Sequence, residues 1–252
     1  MNQLLKLLAS NRRQATPRAL ETNGSETTLY IYDAIVADDL TADWCGGVSA
    51  QSLVPQIRAI LGGTLHLRIN SPGGDVFAAQ AIVAAIKQTG ARVVAHIDGV
   101  AASAATVISC AADEIEIGDG AMYMIHCGSM ICWGGAADML AASALLEKVD
   151  GVIADQYAAK TGKPAEDMKA LMDAETWFTA QEAVDIGLAD RIAATADKPA
   201  ALWDLSAYPK APAAVRKPPP LPIKSTEPVS ATQDHRDRQQ QRLRLLARNT
   251  HQ

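Results

Sequence analysis

An α/β fold with a mostly parallel sheet follows from three observations on the sequence. Short runs rich in β-branched and aromatic residues alternate with stretches of helical apolar spacing. Two strand–loop–helix units stand in succession, each with a glycine-containing loop before its helix. Aromatic residues make up only 4% of the 252 positions and hydrophobic residues 48%, so the core must be built from Ala, Val, Ile, Leu and Met. That composition suits close helix-on-sheet packing.

Each element has its own signal. Residues 1–24 open with a brief amphipathic run, turn polar and basic through Asn11, Arg12, Arg13 and Gln14, and carry the breakers Pro17 and Gly24. They read as a flexible or weakly helical N-terminal arm, with the folded domain spanning 25–195. Thr28–Leu29–Tyr30–Ile31–Tyr32 is a strand by composition, and Leu53, Ile57, Ile60 and Leu61 place residues 49–61 on a helix after the Gly46–Gly47 loop. Leu65–His66–Leu67–Arg68–Ile69 is the next strand, running into the turn cluster Asn70–Ser71–Pro72–Gly73–Gly74–Asp75. Val76, Ala79, Ile82, Val83 and Ile86 mark one helix face that stops at Gly90. A strand over residues 92–97 leads to Ser103, and residues 104–112 are small and apolar enough to pack only as a buried helix.

Further on, strands are expected at residues 114–117 and 122–126 and a long helix at 136–160. Gly162 ends that helix, and Pro164 begins a shorter one. Trp177 and Phe178 then lead into the capping box Thr179–Ala180–Gln181–Glu182. Its helix stops at Gly187, with a last strand at residues 188–192. From residue 196 to 252 the composition shifts to a proline-rich linker, Pro209 to Pro228, and a tail with Arg236, Arg238, Arg242, Arg244 and Arg248. The tail reads as solvated or as a short basic docking helix, and the linker as a place for self-cleavage.

Charge and cysteine usage narrow the function. A net charge of −5 argues against a nucleic-acid partner. Cys45, Cys110, Cys127 and Cys132 have no metal-ligand spacing with a histidine pair, so no metal and no cofactor is expected, and a reducing, cytoplasmic setting is the simplest account. The run Leu4–Leu5–Lys6–Leu7–Leu8 is too short and interrupted for a membrane span, so no membrane partner is expected.

Ser103 is the candidate nucleophile. It stands at a strand-to-helix junction with Gly99, Val100, Ala101 and Ala102 before it and Ala104 and Ala105 after. That place exposes a hydroxyl above the positive end of a helix, with small flanking residues that let another backbone come close. An isolated serine there is more often a helix N-cap. Three strand histidines, His66, His96 and His126, compete as the base, and residue type does not choose among them. Pro72–Gly73–Gly74 reads equally as a tight turn or as a bare backbone offering N–H donors.

Taken in order, Asn70–Ser71–Pro72–Gly73–Gly74, Gly99–Val100–Ala101–Ala102–Ser103–Ala104–Ala105 and Met124–Ile125–His126 resemble the proteolytic subunit of the Clp protease. Glu175–Thr176–Trp177–Phe178–Thr179–Ala180–Gln181–Glu182–Ala183–Val184 and Gly187–Leu188–Ala189–Asp190 match it too, so the resemblance covers roughly residues 27–194. It implies the ClpP/crotonase-like fold, with repeated strand-strand-helix units and a long helix for subunit contacts, and serine endopeptidase activity. Its nucleophile falls on Ser103, its base on His126, and its oxyanion donors on the N–H groups of Gly74 and Ala104. Its acid falls on Glu175 where the family has aspartate, and Asp173 is close enough in sequence to compete. The crotonase family shares the fold and the two-amide site, but would want glutamates near the oxyanion loops, where the loop after Gly74 offers Asp75. A vestigial, non-catalytic assembly module is the third reading.

Within the family, the block from Asp173 to Thr179, the alanine-rich helix after Gly134–Gly135, and Cys127–Gly128 where housekeeping subunits have Gln-Pro look most like the Clp-related head maturation proteases of phages and prophages. That likeness implies capsid, scaffold or portal proteins as substrates, a homo-oligomeric ring, and work in the host cytoplasm or procapsid. A housekeeping-like subunit served by an ATPase unfoldase is the alternative.

Overall fold

The computed structural model describes residues 3–11, 20–193 and 203–213. Its elements begin with α1 (Gln3–Ser10), β1 (Leu20–Asn23), β2 (Glu26–Ile31), β3 (Ile35–Val36), α2 (Asp39–Cys45), β4 (Val48–Ser49) and α3 (Ala50–Arg58). The central part is β5 (Thr64–Ser71), α4 (Val76–Gln88), β6 (Arg92–Ala102), α5 (Ala104–Ser109), β7 (Glu114–Ile117) and β8 (Met122–Ile125). It closes with α6 (Ala136–Thr161), α7 (Ala165–Asp173), β9 (Thr176–Thr179), α8 (Ala180–Ile186) and β10 (Arg191–Ile192).

Strands β2, β5, β6, β7 and β10 lie side by side and parallel, with β1 antiparallel on the outer edge of β2. Helical connections between parallel strands force this order, as the alternating pattern implies. Strand β6 is long enough to serve two neighbours. Its residues 94–97 pair with β7, and residues 100–102 pair with β8, which carries β9 antiparallel on its far side. The far end of β6, where Ala101 still pairs with Ser71 of β5, thus carries β8 and β9 as a branch of the same sheet.

Alternation sorts the faces. Leu65, Leu67, Ile69, Ala95 and Ile97 are fully buried in the core, to which α3, α4 and α5 also contribute. The intervening side chains form a polar ladder on the other face. There His66 Nδ1 lies 3.0 Å from His96 Nε2, and Asp98 takes the Tyr32 hydroxyl and the Arg68 guanidinium, each at 2.5 Å.

The capping box and the end glycines act as the sequence implies: Thr179 and Glu182 form a reciprocal box on α8, and Gly162 and Gly187 end α6 and α8 in left-handed conformations. Asp75 and Ser49, beyond that reading, cap α4 and α3. Helix α2 has no sequence signal of the kind used above. None of its residues is buried, so it has no apolar stripe, and the side chain of Asp38 starts it by accepting from Thr41 N–H. The expected strand at residues 188–192 shrinks to Arg191–Ile192, because Leu188 and Ala189 donate back to the Ala183 carbonyl in the turn that closes α8.

Described residues on either side of the expected domain limits pack against the domain. The arm at 1–24 contributes α1, whose Leu7 and Leu8 are buried, and β1, which extends the sheet. Beyond residue 195, Trp203, Leu205, Ala207, Tyr208 and Ala211 pack with Leu7 against Val100, Ala102 and Met124. Amphipathic spacing in α1 and a Trp/Tyr pair among the prolines had a tertiary partner in each other, which local pattern does not reveal. The basic tail, the prolines from 218 onward and the expected self-cleavage there lie outside the described residues.

Because α1 is part of the packed unit, Leu7→Ala is expected to cost about 2–4 kcal/mol of unfolding free energy in a denaturant titration. A change near zero would return residues 3–10 to the status of a frayed arm.

Candidate active site

Strand β6 ends and α5 begins with one residue between them, and that residue carries the strain. Ser103 has φ 56° and ψ −125°, a conformation that costs a non-glycine residue about 1–3 kcal/mol. Its neighbours hold it there. The Ser103 N–H donates to the Met124 carbonyl at 2.9 Å, and its carbonyl accepts from Thr106 N–H at 2.9 Å and from the Thr106 hydroxyl at 2.5 Å. Ser103 occupies the N-cap position of α5, yet its side chain makes no cap hydrogen bond. Its Oγ lies 2.7 Å from His126 Nε2 instead. Geometry thus separates the two readings of this serine: it is paired with a histidine and is not a cap.

His126 follows directly after β8, which brings it beside the end of β6. His66 and His96 bond each other on the polar face of the sheet and take no part. Loss of solvent lowers the His126 pKa from 6.5 to about 4, so the ring is neutral at pH 7. A neutral imidazole with Nε2 facing a hydroxyl can accept its proton, provided Nδ1 holds the ring's own.

Neither carboxylate reaches that ring among the described residues. Glu175, at φ 48°, accepts on Oε1 from the Trp177 indole at 3.3 Å and from Lys210 N–H at 2.8 Å. Asp173 accepts from the Lys169 ammonium at 2.6 Å and from the Cys127 thiol at 3.1 Å. The nucleophile and base expected from the sequence are together, while the acid stands at its expected place in the chain with its carboxylate turned elsewhere.

The Gly73–Gly74 turn lies against the same junction. Ile35 N–H donates to the Gly73 carbonyl and Asp75 N–H to the Ile35 carbonyl, each at 2.9 Å, which pins the chain on both sides of Gly74. A β-carbon on Gly73, at φ 91°, would stand 2.5 Å from the Ala102 carbonyl oxygen and 2.8 Å from Ser103 Cβ. One on Gly74 would stand 2.1 Å from the Ile35 oxygen. Only glycine lets this backbone touch the serine junction. Gly74, Ala104, Ser103 and His126 line one cleft of about 340 Å³, whose apolar walls include Leu4, Leu7, Met130 and Ile153.

The other candidates are committed elsewhere. Asp75 caps α4 by accepting from Ala78 N–H at 2.8 Å, which leaves the loop after Gly74 without the free acid an acyl-CoA enzyme would want. Burial and the Asp173 contact push the Cys127 thiol up to about 12, so it is no rival nucleophile. No group of three or more metal-ligating side chains occurs among the described residues. Tyr208, which had no motif to mark it, is buried edge-on to His126 at a ring separation of 5.3 Å and gives its hydroxyl to the Pro72 carbonyl.

The low His126 pKa sets two expectations. The rate of Ser103 labelling by a fluorophosphonate should stay level on acidification to about pH 5 and fall by half near the His126 value of about 4. A midpoint at 6.5 would show that the imidazole is solvated. Since the folded value lies below the unfolded one, the unfolded chain binds the proton first; this contribution to stability is present above pH 6.5 and is lost as pH falls toward 4.

The family model for Clp protease matches residues 49–196 of this chain. The ATP-dependent Clp protease proteolytic subunit 3 of Rhodococcus jostii is 36% identical over 129 residues, which is 50% of this chain and 63% of that protein, slightly under two thirds of its length. Subunit 2 of Corynebacterium glutamicum is 31% identical over 166 residues, covering 65% of this chain and 80% of that one. Among solved structures, a point mutant of ClpP1 from Listeria monocytogenes superposes with a TM-score of 0.55 at 25% identity, over 68% of this chain and 92% of that one. With more than half of its residues matched by the family model, and the fold shared with a solved member, this chain belongs to the Clp protease family.

Proposed function

We propose that this chain is a serine endopeptidase working by a Ser–His–acid mechanism, a reading carried by the 2.7 Å contact between Ser103 Oγ and His126 Nε2 at a strained strand–helix junction. Ser103 Oγ attacks the peptide carbonyl as His126 takes its proton. The new C–O bond forms, and the C–N bond then breaks as His126 hands that proton to the leaving amine. Water, deprotonated by the same imidazole, releases the acyl group. The N–H groups of Gly74 and Ala104 receive the oxyanion, each such donor being worth about 10²–10³ in turnover. Glu175 is the acid that orients His126, with Asp173 as its rival. The cleft's apolar walls suit an uncharged side chain beside the scissile bond.

The chain works as a homo-oligomeric ring. Support comes from α6, 26 residues long, with Met139, Leu140, Leu145 and Val152 exposed and Ile131 and Trp133 exposed on the segment before it. Its substrates are capsid, scaffold or portal proteins of a phage or prophage. The sequence block from Asp173 to Thr179, Cys127–Gly128 after the histidine and the long extension beyond residue 196 support that reading. The names of the relatives favour a second one, a proteolytic subunit supplied by an ATPase. Among the described residues no helix is long and apolar enough to cross a membrane.

Prolonged exposure to a fluorophosphonate should add one probe mass to the chain and none to Ser103→Ala; equal labelling of both would remove Ser103 from the mechanism. Sedimentation should give a multiple of the 26.6 kDa chain mass, and a strictly monomeric species would count against the ring. Co-expression with neighbouring capsid genes should yield processed capsid proteins with wild type and unprocessed ones with Ser103→Ala. Processing that persists with Ser103→Ala supports the assembly-module reading, and processing that requires an added unfoldase supports the ATPase-served subunit.

A further inference from the structure

Residues 203–211 form a strap across the outer side of the site, fastened at three places. At its start the buried Trp203 indole donates to Asn70 Oδ1 at 3.1 Å. In its middle, Asn11 at the end of α1 clasps the Asp204 backbone from both directions. Its amide donates to the Asp204 carbonyl at 2.9 Å, and its oxygen accepts from Asp204 N–H at 2.7 Å. Lys6 adds a 2.6 Å bond to the Ser206 carbonyl. At its end, Lys210 N–H donates to Glu175 Oε1 at 2.8 Å, and the Lys210 ammonium reaches the Ala174 carbonyl.

Between the fastenings the strap lies on the outer face of β6 and β8. Leu205, Tyr208 and Ala211, with Leu7 of α1, pack on Val100, Ala102 and Met124, which lie one to three residues before Ser103 or His126. Tyr208 is driven between His126 at 5.3 Å and Trp177 at 6.0 Å, and it lines the cleft together with Leu4, Leu5 and Leu7 of α1. Side chains of α1 and of the strap thus stand in the wall of the cleft that holds Ser103 and His126.

We infer that residues 203–211, clasped by α1, are an intramolecular latch that keeps the Ser103 site at rest by covering its outer face and by holding the Glu175 carboxylate on the Lys210 amide. This rests on the serine-protease reading and names its regulation. The Lys210 N–H and the His126 Nδ1–H are competing donors for one carboxylate. Glutamate has the side-chain torsions to exchange one for the other, which a shorter aspartate would lack. With the strap lifted, Glu175 loses its backbone donor, and the imidazole loses the Tyr208 ring that packs on its edge. The methylene that sets Glu175 apart from the family's aspartate is then what allows the switch.

The test compares the rate constant of fluorophosphonate labelling at Ser103, read by intact mass, in the full-length chain and two variants. Lys210→Pro deletes the N–H that holds Glu175, and Asn11→Ala/Trp203→Ala unfastens the strap. Both should label at least about tenfold faster than wild type, because an orienting carboxylate is worth up to about 10⁴ in turnover. If the double variant has lost its cooperative unfolding transition, Lys210→Pro alone decides. Variants that stay folded and label no faster than wild type overturn the latch while leaving the protease reading intact. If neither wild type nor Lys210→Pro labels at Ser103, the protease reading falls and the latch with it.

Discussion

The backbone of Ser103 is the constraint on which the site depends. A strand that runs straight into a helix leaves one residue to turn the chain, and that residue sits in the left-handed region at φ 56°. An alanine-rich surround admits it, since Ala101, Ala102, Ala104 and Ala105 let β5, β8 and the Gly73–Gly74 turn close in. The carbonyl of Met124 then fixes the junction from one side and Thr106 from the other. The same contacts place His126 two residues beyond the strand position that binds the serine amide. Strain of about 1–3 kcal/mol is thus offset by bonds that also assemble the pair.

Burial gives the site its chemistry. A largely desolvated imidazole stays neutral at physiological pH and can accept a proton, but with a pKa near 4 it is a weak base. A carboxylate on its far nitrogen would raise that value by favouring the imidazolium. Glu175 is held away from it by Lys210 and Trp177. The observed arrangement therefore has Ser103 and His126 in contact, while the Glu175 carboxylate is held on other donors.

Most of the fold was legible because its signals are local. Apolar alternation in residues 65–69, the capping box at Thr179, and Gly162 and Gly187 each act within a few residues of where they stand. Helix α2 escaped that logic because none of its side chains is fully buried, and α1 because a short apolar stripe does not say what it packs on. The length of β6 was hidden for another reason. Gly99 and the small residues around it look like a loop until β8 supplies hydrogen bonds to residues 100–102.

Sequence by itself determined the alternating architecture and the turn glycines, and singled out Ser103 and His126 as a candidate pair, since ordered motifs at set intervals are a one-dimensional property. Only the tertiary structure decided that Ser103 does not cap its helix, that His66 and His96 bond each other, and that Glu175 faces Lys210. Each of these is a choice among partners that are equally available along the chain. Such choices are settled by which strands pair and which way each side chain then points. The contact of residues 203–211 with α1 belongs to the same class: nearly 200 positions separate Asn11 from Asp204, and nothing but the fold brings them to 2.7 Å.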